Sequence, residues 1–224
     1  MTSSREKKRG KPRLVVATDN FLPRWDGMVR FLSEVIPRLS EEYDVVVIAP
    51  DFGPVDEFSS AHIVKIPLRR RQFGDFHLAR IRYGVIKREV RKADVVFSQT
   101  IGPIGACAIL AGKHLSRPVI SFVHSIESRL VPMAMGPGLA RQLLFPFMHW
   151  WTRFLYNRSS LLMTPSEWVD DHLSWEGVRT QKRVVRLGVD TKKFSPGTAK
   201  TLRSKLGIGE DEVVIGQHGR LARE

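Results

Sequence analysis

Short apolar runs alternate along the chain with segments of helix length. Most of these runs are continuous rather than alternating in polarity, and they cover residues 14–18, 45–49, 63–66, 95–98, 119–123, 160–164, 184–187 and 213–216. Continuous Val and Ile runs are typical of strands covered on both faces, as in a parallel sheet. The pattern therefore predicts a mostly parallel β-sheet.

The segments between these runs carry apolar residues at three- and four-residue spacing, which predicts amphipathic helices. The expected helices are a first one from Met28 to Leu39 with Pro37 as a kink or early end, a second along 76–93, a third along 104–115, a fourth along 140–155, and a short fifth beginning at the N-cap Ser166. Strand–helix alternation predicts an α/β fold, a Rossmann-like doubly wound sheet. The loops that follow its strands would line one ligand-binding edge.

The pattern also predicts a domain organisation. Residues 1–12 form a basic tail expected to be disordered, and residues 13–190 form the Rossmann-like domain. Residues 191–212 are expected to be a linker and helix, and residues 213–224 the first strand of an incomplete second domain. We infer this last boundary because strand 213–216 has no helix after it to cover it.

The net charge of the chain restricts the classes of binding partner but does not identify one. The 224-residue chain has a net charge of +13, which favours nucleic acid, an anionic membrane face or phosphorylated substrates. The N-terminal segment has no apolar run of the kind found in secretory signals, and no stretch of about 18 apolar residues predicts a membrane-spanning helix. The single cysteine, Cys107, excludes an internal disulfide, and no histidine or cysteine spacing suggests a metal site.

Three loops that follow predicted strands contain candidate ligand contacts. Gly27 ends the first loop and opens a helix, where free N–H groups attract phosphate or sugar oxygens, although it also fits a plain turn. The segment 102–105 fits a helix start and also a close backbone approach to a ligand. His124 follows the fifth strand and is either structural or a contact to a sugar hydroxyl. Glu127 either orients an acceptor hydroxyl or is a solvated loop residue.

A basic surface and an aromatic segment suggest an interface. The candidate membrane-facing residues are Arg69, Arg70, Arg71, Arg80, Lys87, Arg88 and Trp150. Each basic residue near an anionic leaflet contributes about 1 kcal/mol, although a solvated basic face remains an alternative. On the fourth helix we expect the regularly spaced stripe, including Leu143 and Phe147, to be core. Phe145 and Trp150 fall off that stripe and are the candidates for lipid or acceptor contact.

Four ordered segments resemble the N-terminal half of the family-4 glycosyltransferases, which have two Rossmann-like domains facing a cleft (the GT-B architecture). These segments are TDNFLPRWDGMVRFLSEVIPRLSEEYDVVVIAPD, RPVISFVHS, LLMTPSEWVDDHL and VVRLGVDTKKFSPG. The final VVIGQHGRLARE resembles the opening strand of the family's donor domain. The resemblance covers residues from about 12 to 224.

The resemblance implies transfer of a hexosyl group from a nucleotide-diphosphate sugar with retention at the anomeric carbon, without a metal or other cofactor. Gly27 matches the glycine of the first loop near the donor phosphates and acceptor. His124 matches the active-site histidine that reaches the transferred sugar, and Arg220 matches an arginine on the donor pyrophosphate. Asp26 stands where the family usually has the first of two glycines, so the resemblance does not define the path of this loop. His124 is therefore our catalytic candidate, and Gly27, Asp26, Glu127 and Arg220 are our donor- and acceptor-binding candidates.

The lysine and paired glutamates that hold the nucleotide sugar in the family would lie after Glu224. We therefore expect an acceptor-binding half that is inactive alone. Its partners would be a donor domain and a lipid, lipid-linked or glycan acceptor. We expect a cytoplasmic protein, peripheral at the inner face of the plasma membrane. The alternative is a non-catalytic glycan- or partner-binding module. Nucleic-acid binding is disfavoured because basic and aromatic residues do not interleave.

Overall fold

The computed structural model describes residues 10–55, 58–70, 77–134, 138–194, 200–209 and 211–216. The chain divides into two compact units, Met1–Arg186 and Leu187–Glu224. The first unit holds the sheet and six helices. The second contains one described helix.

Strands and helices alternate through the first unit. Its strands are β1 (Arg13–Ala17), β2 (Asp44–Pro50), β3 (His62–Ile66), β4 (Val95–Ser98), β5 (Val119–Phe122), β6 (Leu161–Thr164) and β7 (Lys182–Val184). Its helices are α1 (Gly27–Glu42), α2 (Tyr83–Lys92), α3 (Pro103–His114), α4 (Glu127–Ala134), α5 (Leu139–Tyr156) and α6 (Glu167–Trp175), and α7 (Lys200–Leu206) lies in the second unit.

The seven strands form one parallel sheet in the order β3-β2-β1-β4-β5-β6-β7. The α/β, Rossmann-like, doubly wound fold is therefore confirmed. Strand order reverses between β1 and β4, because β1 connects through α1 to β2 on one side while β4 connects through α3 to β5 on the other. Such a switch point is where open α/β sheets bind ligands, at the carboxyl ends of the strands.

Two apolar cores lie on the two faces of the sheet. One contains the buried residues of α1, Leu32 and Ile36, with Val16 of β1. The other joins Val15 of β1 to buried residues of α2, α3, α5 and α6. Successive residues of a strand point to opposite faces, so the continuous apolar runs supply both cores.

Several expected boundaries shift in the structure. Helix α2 begins at Tyr83, because Ala79, which was expected within it, pairs with Leu68 in an antiparallel bridge. Helix α1 continues through Pro37 to Glu42 rather than ending early. Strand β7 ends at Val184, so residues 185–187 are not part of it.

The expected strand at 213–216 is wrong. Residues 211–216 form no strand, and Val213 and Ile215 are 90% and 95% exposed. An extended segment becomes a strand only when its backbone pairs with a neighbour. Within the described part of the second unit there is no such neighbour. The rest of the expected segment, 217–224, lies outside the described residues.

Candidate functional site

Three loops meet at the carboxyl edge of the sheet beside the switch point. They follow β1 (18–26), β4 (99–102) and β5 (123–126), and the three strands are neighbours in the order β1-β4-β5. Parallel strands place their carboxyl ends on the same edge, so the loops are adjacent although they are far apart in sequence. The sequence-predicted candidates Asp26, Gly27 and His124 lie here.

Asp26 caps the start of α1. Its backbone is extended, and its carboxylate accepts a hydrogen bond of 2.8 Å from the N–H of Val29. The other carboxylate oxygen accepts from the side-chain amide of Asn20. Both oxygens thus stabilise the loop and the first helical turn, a role that the sequence analysis did not assign to Asp26.

Gly27 is the first residue of α1 and is exposed. A methyl group built on its Cα would meet no other atom within 4 Å. The helix start therefore opens onto free space. Because the first amides of a helix lack partners within the helix, this position can admit an anionic or hydroxylated ligand.

His124 packs against two adjacent aromatic rings and contacts a side-chain amide. Its ring centroid lies 5.2 Å from that of Phe31 and 4.6 Å from that of Phe122. Its Nε2 lies 2.9 Å from Oε1 of Gln99. Burial lowers the pKa of His124 to about 4, against an opposing contribution from the Asp26 carboxylate. The imidazole is therefore neutral at pH 7 and suits hydrogen bonding to a hydroxyl better than proton abstraction.

The structure brings His124 and the α1 start together. Phe31, which contacts His124, lies one helical turn after Gly27, and the charge of Asp26 acts on the imidazole. A glycine opening and a neutral histidine thus share one edge of the sheet. This arrangement was the central geometric expectation from the sequence.

Asp19 is a structural residue at this edge that the sequence analysis missed. Its carboxylate accepts hydrogen bonds from the N–H groups of Ile104 (2.8 Å) and Gly105 (3.1 Å) and from the hydroxyl of Thr100 (2.5 Å). Burial raises its pKa, while these three donors act to lower it. Asp19 therefore caps α3 from a neighbouring loop. One signal was available: Gly102, at the N-cap position of α3, has no side chain with which to cap it.

Glu127 begins α4, and its carboxylate accepts a 3.1 Å hydrogen bond from the hydroxyl of the buried Tyr156. Burial raises its pKa to about 7, and the nearby Glu176 carboxylate adds to the increase. The carboxylate thus joins α4 to α5. Its predicted role, orienting an acceptor hydroxyl, stays a prediction.

The carboxylate of Glu176 also links α4 and α5, and it links both to α6. The side chain of Glu176 is 1% exposed, and its Oε1 accepts a 2.8 Å hydrogen bond from the hydroxyl of Ser128. The same oxygen lies 3.0 Å from Nε2 of His172 and 3.2 Å from Nδ1 of His149. This carboxylate therefore joins helices α4, α5 and α6.

Two sequence candidates cannot be placed. Arg220 and Arg71 lie outside the described residues. In the part of the chain that the structure describes, no three His, Cys, Asp or Glu side chains form a potential metal-binding group.

The described residues of the predicted basic surface lie on α2 and beside the bridge between Leu68 and Ala79. Arg69, Arg70, Arg80 and Arg88 are exposed, and within the described ranges none of them forms an ion pair. Lys87 is half-buried, with its ammonium 5.8 Å from the ring centroid of Tyr83. This face therefore keeps a strong positive field.

Helix α5 is more exposed than expected. The prediction that the regularly spaced stripe is core is confirmed for Met148 and Leu155, which are buried. It fails for Leu143 and Phe147, which are 65% and 50% exposed, because nothing in the described residues covers the first half of this helix. Trp150 is 47% exposed, and its contact with lipid or acceptor stays a prediction.

Phe145 differs from that expectation: it is half-buried, with the Arg141 guanidinium 5.6 Å from its ring centroid. The exposed Leu139, Leu143, Phe147 and Trp150 repeat at helical spacing and form one apolar stripe. Among the described helices, none is both long and apolar enough to span a bilayer.

The fold and this edge together define a Rossmann-like domain with a candidate ligand site at its switch point. Residues 25–193 match the model of glycosyltransferase family 4, which covers most of the first unit and the start of the second. The chain belongs to glycosyltransferase family 4. This confirms the family resemblance of the sequence segments.

One curated relative is the Alpha-monoglucosyldiacylglycerol synthase of Streptococcus pneumoniae (strain ATCC BAA-255 / R6). It is 25% identical over 95% of this chain and 49% of its own length. The chain therefore spans about half the length of this relative.

Similar solved structures support the fold. Anabaena Alr3699/HepE, in complex with UDP and glucose, has a TM-score of 0.57 at 15% identity, over 88% of this chain and 50% of its own. The glycosyltransferase of Rickettsia africae ESF-5 has a TM-score of 0.55 at 13% identity, over 89% of this chain and 51% of its own.

Proposed function

We propose that this chain is the acceptor-side half of a retaining glycosyltransferase that transfers a hexosyl group from a nucleotide-diphosphate sugar to a lipid acceptor. The observation that carries the proposal is the shared position of Gly27 and His124 at the switch point of a family-4 domain. The choice of a lipid acceptor is supported by the match to a glucosyldiacylglycerol synthase and by the exposed apolar stripe of α5.

On this proposal, the open start of α1 receives the donor phosphates or the acceptor beside Gly27. The neutral His124 hydrogen-bonds a hydroxyl of the transferred sugar. Charge then develops on the leaving diphosphate, and groups aimed at that charge must come from a second domain. The chain alone is therefore expected to turn over no sugar nucleotide.

The test is to join residues 1–224 to the C-terminal half of the pneumococcal synthase and to measure sugar transfer from UDP-glucose to diacylglycerol in vesicles. We expect transfer by the fusion and none by the chain alone. In the same fusion, His124→Ala is expected to lower kcat/KM by about 100-fold or more.

Circular dichroism and binding of the sugar nucleotide show whether the fusion is folded. A folded fusion that binds donor but transfers nothing would contradict the enzyme proposal and favour the non-catalytic binding module. Measurable turnover by the chain alone would contradict the need for a second domain.

We further propose that the chain acts at an anionic membrane surface. The support is the basic face of α2 and the apolar stripe of α5, whose helices pack into the same core on one face of the sheet. Basic side chains attract anionic headgroups, and a tryptophan such as Trp150 suits the lipid–water interface.

Sedimentation with phosphatidylglycerol vesicles tests this surface, with phosphatidylcholine vesicles as the uncharged comparison. We expect Arg88→Glu to weaken binding by about tenfold, whereas Arg38→Glu, on α1 at the other face of the sheet, leaves it nearly unchanged. Trp150→Ala should weaken binding more than Trp175→Ala, which removes an 81% exposed tryptophan from α6. Equal effects within each pair, or no binding at low salt, would contradict the membrane proposal.

A further inference from the structure

Gln99 is a buried polar residue at the switch point with no assigned role. It follows β4, and its side chain is fully enclosed. Its N–H donates a 2.8 Å hydrogen bond to the carbonyl of Ala17 at the end of β1, which fixes its backbone against the neighbouring strand. A buried amide side chain in such a place requires hydrogen-bonding partners.

The one side-chain partner in the described residues is His124. Oε1 of Gln99 lies 2.9 Å from Nε2 of the imidazole. In this orientation of the Gln99 amide its oxygen faces the imidazole, and an amide oxygen only accepts hydrogen bonds, so this contact favours a proton on Nε2. In a neutral imidazole the other nitrogen, Nδ1, then has a free lone pair.

The surroundings of the ring restrict its other orientations. Phe31 and Phe122, whose ring centroids lie 5.0 Å apart, both pack against the imidazole, so the ring is packed as well as hydrogen-bonded. Packing by aromatic rings does not distinguish the two neutral tautomers. The Gln99 amide does distinguish them, because its oxygen stabilises only the form with hydrogen on Nε2.

We propose that Gln99 is a positioning residue that holds His124 in the Nε2–H tautomer, leaving Nδ1 as the atom that accepts a hydrogen bond from a sugar hydroxyl. The part concerning the sugar rests on the proposed function. The part concerning the tautomer depends only on the contact between the two side chains.

Two unpaired polar atoms in the loops after β1 and β4 suit a hydroxylated ligand. Nε2 of Gln99 and Oδ1 of Asn20 are both buried without a hydrogen-bond partner in the described part of the chain. One is a donor and the other an acceptor, and they belong to the loops on the two sides of the switch point. A hydroxyl group donates and accepts, so a sugar can satisfy such atoms.

Nitrogen NMR of the 15N-histidine-labelled chain tests the tautomer directly. His124→Asn assigns the His124 signals among the seven histidines. We expect a protonated Nε2 and an unprotonated Nδ1 from pH 6 to 8. Gln99→Leu, which removes the acceptor, should give a mixture of tautomers, whereas Gln99→Glu, which keeps an acceptor, should retain the Nε2–H form.

Gln142→Leu is the matched control, because Gln142 is exposed on α5. It should leave the His124 signals unchanged. A protonated Nδ1 in the wild-type chain, or an unchanged tautomer in a folded Gln99→Leu variant, would overturn the proposal. If Gln99→Leu does not fold, the wild-type tautomer and the Gln99→Glu variant decide.

Activity of the fusion separates this inference from the proposed function. We expect Gln99→Leu to lower kcat/KM by about tenfold, mainly through the donor KM. If the wild-type fusion is active and Gln99→Leu does not change its kcat/KM, the proposed contact between Nδ1 of His124 and the sugar is overturned. An inactive, folded wild-type fusion would overturn the function and with it the sugar contact, while the tautomer would be decided by NMR alone.

Discussion

Helices α1 and α3 start on either side of the switch point, and their first turns are capped in different ways. Helix α1 is capped by its own Asp26, and Gly27 faces open space. Helix α3 is capped by Asp19 from the neighbouring loop, and its Gly105 is buried. A Cβ atom at Gly105 would lie 1.9 Å from the carbonyl oxygen of Thr100.

This difference separates a helix start that can receive a ligand from one that cannot. The amides of Ile104 and Gly105 already donate to a carboxylate of the protein, so the start of α3 has no free amide to offer there. Asp26 uses the amide of Val29, the third helical residue, and leaves the end of α1 accessible at Gly27. Of these two glycine-containing turns, the one at α1 is therefore accessible and the one at α3 is occupied by a protein carboxylate.

The largest expected effect is on the closed helix start. Gly105→Ala should lower the free energy of unfolding by about 3 kcal/mol or more, because the new methyl group overlaps backbone that cannot rotate away. Chemical denaturation measures the change.

Gly84→Ala is the control, because Gly84 lies in α2 and a Cβ there would meet nothing within 4 Å. That variant should be unchanged or more stable by up to about 1 kcal/mol. Similar stabilities for the two variants would show that the start of α3 is not closed as described.

The buried carboxylate of Glu127, at the start of α4, predicts that the stability of the fold depends on pH. Glu127 has a folded pKa of about 7, above the ordinary value of 4.5. The folded state therefore binds this proton more tightly, and stability from this group falls as pH rises from about 4.5 to 7. Glu127→Gln removes the titration, so its stability relative to wild type should rise by about 2–3 kcal/mol between pH 5 and pH 8.

Glu167→Gln is the control, since Glu167 is an exposed glutamate in the first turn of α6. His149, His172 and Glu176 are unchanged in all three proteins, so the comparison isolates the effect of Glu127. A Glu127→Gln difference that does not change with pH would contradict the buried position of this carboxylate.

The fold was predictable from the sequence because its signal is local. Continuous Val and Ile runs such as 45–49 identified the parallel strands, and Ser166 was correctly predicted as an N-cap. The errors lie where pairing depends on distant partners. Ala79 fits a helical stripe but pairs with Leu68, and residues 213–216 fit a strand but pair with none in the described range.

The site was predictable only in part. Asp26, Gly27 and His124 stand beside strand ends, and the structure brings them together. Asp19 and Gln99 were missed because their partners are distant in sequence: Asp19 contacts residues 81 to 86 positions away, and Gln99 contacts His124 25 positions away. Tertiary folding alone creates these contacts.

A smaller effect is expected at the cap of the open helix. Asp26→Ala and Ser166→Ala each remove a side-chain acceptor for the third amide of a helix, so each should lose about 1 kcal/mol of stability. Only Asp26→Ala removes the charge that raises the pKa of His124, so it alone should lower that pKa further. NMR titration of His124 measures this. Equal pKa values in the two variants would contradict the proximity of Asp26 and His124.

The smallest expected effect on stability is at Gly27. Gly27→Ala places a methyl group in open space at a helical position, so the free energy of unfolding should stay within about 1 kcal/mol of wild type, as for Gly84→Ala. The two variants should differ in the fusion with a donor half, where Gly27→Ala lowers kcat/KM and Gly84→Ala does not, because a ligand would occupy the space beside Gly27. If Gly27→Ala leaves the activity unchanged, only solvent occupies the space beside Gly27. The difference between the starts of α1 and α3 would then be unrelated to ligand binding.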